Sequence, residues 1–234
     1  TWENMVDDSK TDILRIRRAD FLTLGLGIQR HLLRKAVFHF LSSAGDISFE
    51  SITRGIDGIK NLQTGMIDLE KNLCLELTGD SFYIFNKCKS WVELYFPQVN
   101  NEKIIEVDRY GIYELSPGWI IKLSSQTQFV SPQDRKNVDT NMIEFDHDII
   151  EQFPFYISKI QIGDRFTPFG FGKGSIKLSD FFINEKIPRS ARGNWPVLKD
   201  NSGKILWVIG LRPNDDYKIT SETEKVLRLE VIKI

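Results

Sequence analysis

The stretch of this sequence best suited to chemistry runs from Gly163 to Pro196 and combines glycines, aromatic side chains and positive charge. Gly170, Gly172 and Gly174 permit positive φ angles and leave backbone N–H groups accessible. With the lysine between them, such a loop can hold a phosphate, and Ser175 is predicted to cap a helix whose positive end favours anions. The spacing matches neither a nucleoside-triphosphate loop nor a dinucleotide fingerprint, so we predict phosphate binding without hydrolysis.

Positive charge is concentrated in and around this stretch. Between Lys159 and Arg212 the sequence has ten basic and four acidic residues, a balance of +6 in a chain whose formal net charge is −1. Neighbouring cations repel one another unless an anion lies between them, so the segment predicts a polyanionic partner. On charge alone, the candidates for phosphate contact are Lys173, Lys177, Arg189 and Arg192.

Several other side chains of the stretch admit structural roles. Arg165 could contact phosphate or instead form a salt bridge with its neighbours. Phe166 and Phe169 are predicted to be core residues, because large aromatic side chains are more often buried than stacked on a ligand.

The remaining residue groups with chemical potential do not predict catalysis. The segment 144–148 holds three acids and His147, but no nucleophile or second ligand pair lies nearby, so a polar strand edge or turn is favoured over a metal site. His31 and His39 also lack a third ligand. No nucleophile elbow, paired-histidine motif or kinase signature occurs in the sequence. We therefore predict no catalytic residue and no bound metal in this chain.

Bulk composition places the chain among ordinary globular proteins, with 41% hydrophobic and 27% charged residues. No apolar run approaches the length of a membrane span. Cys74 and Cys88 match no metal or redox spacing, which predicts reduced thiols in a cytoplasmic protein. The chain begins at Thr1 rather than at methionine, and we expect it to be a piece of a longer protein.

Periodicity predicts a largely helical region from Ser9 to about Gln63. Apolar residues from Ile28 to Leu41 recur at the spacing of one helical face, and Ser48 is placed to cap a second helix. A β-hairpin signature follows at 78–81. Residues 1–86 therefore predict a small helical domain with a β-hairpin. Its charged outer positions Arg30, Arg34 and Lys35 favour a solvated helix face, with secondary phosphate contact as the alternative.

Residues 87–234 predict a β-rich domain. Three short apolar runs are spaced like a β-meander, a second hairpin signature lies at 200–203, and the C-terminal residues alternate as in a half-buried strand. The three runs are Lys103–Val107, Gly111–Leu115 and Trp119–Leu123, and an exposed loop is expected at 131–140. Overall, we expect an α+β fold in which the second domain is a mixed β-sheet with one or two short packed helices.

The motifs of the basic segment, in this order, resemble the C-terminal portion of bacterial tRNA(Ile)-lysidine synthetases. That family has Gly-Asp-Arg-Phe-x-Pro-hydrophobic-Gly, Lys-Leu-x-Asp-Phe-Phe, Trp-Pro and Trp-Val-x-Gly-x-Arg elements. They match Gly163–Gly170, Lys177–Phe182, Trp195–Pro196 and Trp207–Arg212. The helical segment 29–34 is similar to the central domain of the family, less distinctively. Many relatives have arginine where this chain has Ser158, which leaves a phosphate contact at this position open; the neighbouring Lys159 would be only a loose substitute, because lysine lacks the planar fork of arginine.

The resemblance implies a function for the longer protein. The family uses ATP to join lysine to the anticodon cytidine of an isoleucine tRNA with a CAU anticodon. That chemistry belongs to an N-terminal domain with a Ser-Gly-Gly-x-Asp-Ser loop, which does not occur in this sequence. The resemblance therefore implies a tRNA-positioning segment that is inactive alone and has no cofactor of its own. ATP and magnesium are expected in the missing N-terminal domain, which would be its covalent partner. A homodimer is compatible with the sequence.

Three functional hypotheses follow from these observations. The leading one is tRNA binding by a basic surface. The second is a non-catalytic basic module that binds an acidic protein or domain, and the third is a self-sufficient enzyme built on the glycine-rich loop and the acidic cluster near His147. Under the leading hypothesis the contacts are Arg165, Lys173, Lys177, Arg189, Arg192 and Arg212, with Arg30, Arg34 and Lys35 as the secondary set.

Overall fold

The structure is a computed structural model that describes residues 13–41, 47–62, 64–88, 91–99, 103–126, 140–172, 174–217 and 219–234. These residues form helices and antiparallel sheets, so the α+β class is confirmed. The chain divides into two compact units, Thr1–Trp91 with Lys186–Arg189, and Val92–Glu185 with Ser190–Ile234. The domain boundary expected after residue 86 stays a prediction.

The first unit combines three helices with a four-stranded antiparallel sheet of order β1-β4-β3-β2. Its helices and strands share one hydrophobic core, to which each helix contributes a single apolar stripe. The strands are β1 (Ile13–Arg17), β2 (Thr64–Asp68), β3 (Leu73–Thr78) and β4 (Ser81–Asn86), and the helices are α1 (Arg18–Leu22), α2 (Leu26–Phe40) and α3 (Phe49–Asn61).

Local signals in this unit are confirmed. The two predicted helices are α2 and α3, and the backbone N–H of Ser51 donates to Ser48 Oγ at 3.1 Å, which caps α3. The hairpin at 78–81 joins β3 to β4, with Gly79 at a φ of +84°.

One expectation for this region was wrong. Strand β1 lies within the segment predicted to be helical, where Ile13, Leu14 and Ile16 are buried and Arg15 is exposed. Its partner is β4, which pairs Ile13 with Phe85. The alternation of apolar and polar residues covers only Leu14–Arg17, the lower limit of a strand signal, and the stability of the strand comes from a neighbour that is distant in sequence.

The second unit contains two antiparallel sheets that share one core, which includes Leu198 and Leu206 from one sheet and Leu123 and Leu229 from the other. The five-stranded sheet has order β14-β13-β12-β9-β5 and the four-stranded sheet has order β6-β7-β15-β8. Their strands are β5 (Ile105–Val107), β6 (Gly111–Ser116), β7 (Trp119–Gln126), β8 (Met142–Asp146), β9 (Phe155–Lys159), β12 (Pro196–Lys199), β13 (Ile205–Val208), β14 (Arg212–Pro213) and β15 (Val226–Lys233).

A separate two-stranded ribbon, β10 (Arg165–Phe166) and β11 (Ile176–Lys177), lies between β9 and β12 in sequence and contacts β13. The short helices are α4 (Val92–Tyr95), α5 (Leu178–Asn184) and α6 (Arg189–Arg192), with 3-10 turns at His147–Gln152 and Asp215–Tyr217. None of the helices in the described ranges is both long and apolar enough to cross a membrane.

The strand pairing differs from the expected meander. Strands β6 and β7 form a hairpin, but β5 pairs with β9 in the other sheet. Strand positions were thus recognisable locally, whereas sheet membership depends on which strands meet in three dimensions. Every strand pairing among the described residues is antiparallel, whereas a mixed sheet was expected. The exposed loop expected at 131–140 lies outside the described residues except for Thr140.

Candidate nucleic-acid interface

The β10–β11 ribbon brings two of the predicted phosphate contacts together. Its register places Arg165 directly opposite Lys177 and Phe166 opposite Ile176. Successive side chains on a strand point to opposite faces, so one face of the ribbon carries both cations. Both are exposed.

The other face of the ribbon is anchored by an aromatic stack. Phe166 is buried, as predicted, and its ring meets Phe181 of α5 edge-on at a centroid distance of 4.9 Å. Phe182, the next residue of the helix, lies 5.5 Å from the ring of Trp195, just before β12. These contacts hold the ribbon and α5 as one packed layer and fix the direction in which the cationic face points.

The turn before Arg165 is held by Asp164. Its carboxylate accepts from Lys199 Nζ at 2.9 and 3.1 Å and from the backbone N–H of Gln161 at 2.9 Å. Its carbonyl oxygen accepts from Leu178 N, at the start of α5, at 2.9 Å. Gly163 has a φ of +92°, which a side chain would strain. Asp164 is therefore a structural residue that positions the arginine after it.

Arg165 is oriented by Ser175, at the far end of the glycine-rich loop. Its Nε donates to Ser175 Oγ at 3.0 Å and its Nη2 donates to the Ser175 carbonyl at 2.7 Å. The Nη1 group has no partner among the described residues and remains available to an anion. The salt bridge that was the alternative for Arg165 is not formed within the described chain.

The predicted cap at Ser175 was wrong. Helix α5 begins at Leu178, is seven residues long, and follows Lys177, whose side chain makes no capping hydrogen bond. The loop thus does not open directly into a helix, because Ile176 and Lys177 first pair in the ribbon. Ser175 instead fixes the Arg165 guanidinium.

Lys177 completes the cationic pair. Its side chain has no hydrogen-bonding or charged partner in the described part of the chain. Side chains directly opposite on antiparallel strands have Cβ atoms about 4.5–5.5 Å apart, and like charges at that distance are unfavourable. A phosphate oxygen placed between the two cations would remove that repulsion and accept hydrogen bonds from both.

The other four predicted contacts differ in their surroundings. Arg212 forms an ion pair with Glu185 Oε1 at 3.0 Å, so its charge is partly neutralised. Arg192 is half-buried in α6, while Arg189 is exposed and belongs to the first unit. Lys173 lies outside the described residues. Contact of these four with RNA stays a prediction.

The secondary set lies on α2 in the first unit. The Arg30 guanidinium carbon is 4.7 Å from the ring centroid of Phe49, a cation–π contact within the protein. Arg34 and Lys35 are exposed. Their role as phosphate contacts also stays a prediction.

Part of the local positive charge is used internally. Lys199 is paired with Asp164, and Lys204 is paired with Asp216 at 2.9 Å. The hydrogen bond from Lys204 to Asp216 raises the pKa of the ammonium group above its ordinary value. The balance of +6 already subtracts Asp164, whereas Asp216 lies outside the counted segment and neutralises one further charge. Among the described residues, Arg165 and Lys177 are two cations of the segment that form no ion pair.

The side chains of the acidic cluster near His147 make structural contacts. Glu144 is buried and accepts from Arg228 Nε at 2.9 Å and Nη2 at 2.6 Å across β8 and β15. Asp146 accepts from Thr223, and His147 Nε2 lies 2.6 Å from the hydroxyl oxygen of Tyr110. No group of three or more metal-ligating side chains occurs in the described parts of the chain.

The loop between β10 and β11 carries two exposed phenylalanines. Phe169 was predicted to be a core residue, which is wrong, because its side chain is 36% exposed; Phe171 is 51% exposed. The local signal was available in the sequence, since glycines at 170, 172 and 174 leave these rings few neighbours to pack against. Apart from the residues adjacent in the chain, an added Cβ at each of those glycines would meet no described atom within 4 Å.

Comparison with known proteins identifies this region. Residues 157–231 match the family model described as the TilS substrate C-terminal domain. The matched segment contains the ribbon, α5, β12, β13 and the glycine-rich loop, so the cationic pair lies within it. The resemblance inferred from the motifs is confirmed.

Similarity to complete relatives extends beyond the TilS C-terminal domain. The chain is 27% identical to the tRNA(Ile)-lysidine synthase of Clostridium acetobutylicum over 87% of this chain and 42% of that protein. It is 25% identical to that of Dehalococcoides mccartyi over 94% of this chain and 44% of the relative. The chain thus spans less than half the length of these relatives. A solved TILS C-terminal domain is 25% identical, with 56% of this chain and 98% of that chain covered and a TM-score of 0.48.

Proposed function

We propose that this chain is the tRNA-recognising portion of a cytoplasmic tRNA(Ile)-lysidine synthetase, and that it grips the RNA backbone through Arg165 and Lys177. The observation that carries the proposal is the direct opposition of these two exposed cations on the ribbon, within the segment that matches the TilS C-terminal domain. Their geometry suits a phosphate, and RNA helices are recognised mainly through phosphates and shape.

In the complete protein, the ligation itself belongs to an N-terminal domain. That domain would bind ATP and magnesium, activate the anticodon cytidine and join lysine to it. The residues of this chain would hold the tRNA by its backbone while that reaction proceeds. The remaining candidates, Arg189, Arg192 and Arg212, would extend the same electrostatic contact, with Lys173 in the loop and Arg30, Arg34 and Lys35 as secondary contacts.

Loss of the cationic pair tests this proposal. The double variant Arg165→Ala/Lys177→Ala is expected to bind an isoleucine tRNA about tenfold or more weakly, since hydrogen bonds to charged groups contribute about 1.5–3 kcal/mol each. It should also reduce the slope of log K against log salt concentration by about 0.9, because the two cations share one phosphate and each lost phosphate contact removes about 0.9. Filter binding over a salt series measures both quantities.

A matched double variant controls for net charge. Lys103 and Lys122 are exposed lysines of the same unit outside the ribbon. Lys103→Ala/Lys122→Ala removes the same charge and should leave affinity and salt slope nearly unchanged. Equal losses of tRNA affinity in the two double variants would show that the effect comes from net charge and would contradict a specific site. Competition by an acidic protein, but not by tRNA, would instead favour the basic-module hypothesis.

The proposal also predicts that this chain has no ligase activity alone. Incubation of the purified 234-residue chain with ATP, magnesium, lysine and tRNA should yield no lysidine above background in a mass analysis of digested RNA. A complete tRNA(Ile)-lysidine synthase under the same conditions is the positive control. Lysidine formation by this chain would overturn the assignment of chemistry to another domain and revive the self-sufficient-enzyme hypothesis.

A further inference from the structure

The loop between β10 and β11 presents aromatic surface in the same hairpin as the cationic pair. Phe169 and Phe171 lie in the connection between the two short strands whose ends carry Arg165 and Lys177. Phe171 is half exposed, and neither ring meets another aromatic ring within the described residues. Exposed phenylalanine in a glycine-rich loop is unfavourable unless a ligand covers it, since apolar area in water costs about 25 cal/mol per Å².

The first half of this loop is held in place rather than free. Phe169 N donates to the Pro213 carbonyl at 2.9 Å, and Asp215 N donates to the Thr167 carbonyl at 2.9 Å. Gly170 N lies 3.4 Å from Asp215 Oδ1, and Phe171 N donates to the Pro168 carbonyl at 3.0 Å. These hydrogen bonds connect the loop to Pro213 of β14 and to Asp215, so the two phenylalanines lie on a supported turn.

The surroundings of the rings leave room for a flat ligand. Gly170 and Gly172 have φ angles of +78° and +87°, and, apart from the residues adjacent in the chain, no described atom would lie within 4 Å of a Cβ added at either position. An aromatic ring flanked by such glycines can offer a whole face to a partner. A supported phenylalanine also loses little conformational entropy on binding, because it has only two side-chain torsions.

We propose that Phe171, with Phe169 two residues before it, stacks on an unpaired nucleotide of the bound RNA. Arg165 and Lys177 would hold the adjoining phosphate. Aromatic side chains combined with cations are the means by which proteins bind single-stranded nucleic acid, because every base has a face for stacking. The inference rests on the proposed function and makes it specific: the preferred ligand is a junction between duplex and single strand rather than a duplex alone.

Two RNAs that differ only in a single-stranded extension test this inference. One is a blunt hairpin and the other is the same hairpin with a short unpaired 3′ extension. For the 234-residue chain, Phe171→Ala is expected to raise the Kd for the extended RNA by about five- to 150-fold, the range for loss of one stacked base, and to leave the Kd for the blunt hairpin unchanged. Phe171→Trp should retain tight binding of the extended RNA.

A spectroscopic readout separates stacking from a general loss of structure. The fluorescence of 2-aminopurine placed in the extension should be quenched on binding of the wild-type chain and not of Phe171→Ala. Ile112→Ala removes an exposed apolar side chain elsewhere in the same unit and should behave as wild type.

The outcomes distinguish this inference from the proposed function. Wild-type affinity of Phe171→Ala for both RNAs, or an equal loss for both, overturns stacking on an unpaired nucleotide but leaves the tRNA-binding proposal standing. Failure of the wild-type chain to bind either RNA overturns both. The inference is supported if Phe171→Ala loses affinity only for the extended RNA and leaves its 2-aminopurine unquenched, while the wild-type chain quenches it.

Discussion

Replacing Phe182 with alanine is expected to lower the free energy of unfolding of the second unit by about 3–5 kcal/mol. The side chain is fully buried, and its ring lies 5.5 Å from that of Trp195 and 6.1 Å from that of Phe181. Truncation would leave a cavity where α5 meets the residue before β12, and these rigid rings can fill it only in part. Urea denaturation followed by tryptophan fluorescence measures the change.

The neighbouring residue provides the control for Phe182. Ile183 is on the same short helix but is 50% exposed. Ile183→Ala should therefore cost less than about 1 kcal/mol, since little buried area is lost. Equal destabilisation by the two substitutions would show that the helix, rather than the aromatic stack, determines stability here.

Replacing Asp164 with asparagine is expected to destabilise the second unit by about 3–5 kcal/mol, because it leaves the Lys199 ammonium buried without a counter-ion. The two side chains are only 16% and 11% exposed, and the ammonium donates to both carboxylate oxygens. The substitution is nearly isosteric, so the loss would come from charge and hydrogen bonding rather than from a cavity. Chemical denaturation measures it.

Two further variants separate burial from charge. Asp216→Asn breaks the Lys204–Asp216 pair, whose side chains are 46% and 50% exposed, and should cost no more than about 1 kcal/mol. The double variant Asp164→Asn/Lys199→Met removes the orphaned charge and should recover much of the stability lost in Asp164→Asn. A cost for Asp164→Asn as small as that for Asp216→Asn would contradict the structural role assigned to the buried pair.

Features that depend on residues close together in the chain were predictable from the sequence. Helices α2 and α3 have an apolar stripe of helical period, Ser48 supplies its cap locally, and each predicted hairpin carries its own turn residues. The half-buried alternation of β15 was equally visible, because side chains of a strand alternate between faces. The ordered motifs of the basic segment also carried the family resemblance.

Contacts between groups that are distant in the sequence come from the tertiary structure. It paired β1 with β4 and β5 with β9, and it placed Arg165 opposite Lys177. Pairing partners of short strands depend on packing against the whole core, which no local pattern encodes.

Charge and exposure were likewise decided by the fold. The ten basic residues of the segment looked alike in the sequence, but Lys199 and Lys204 are paired with acids, whereas Lys177 faces Arg165. Phe166 and Phe169 also looked alike, yet only Phe166 is buried, because α5 supplies a ring for it to pack against. Whether a cation or an aromatic ring is available to RNA depends on what the chain brings next to it, and that is a property of the folded molecule.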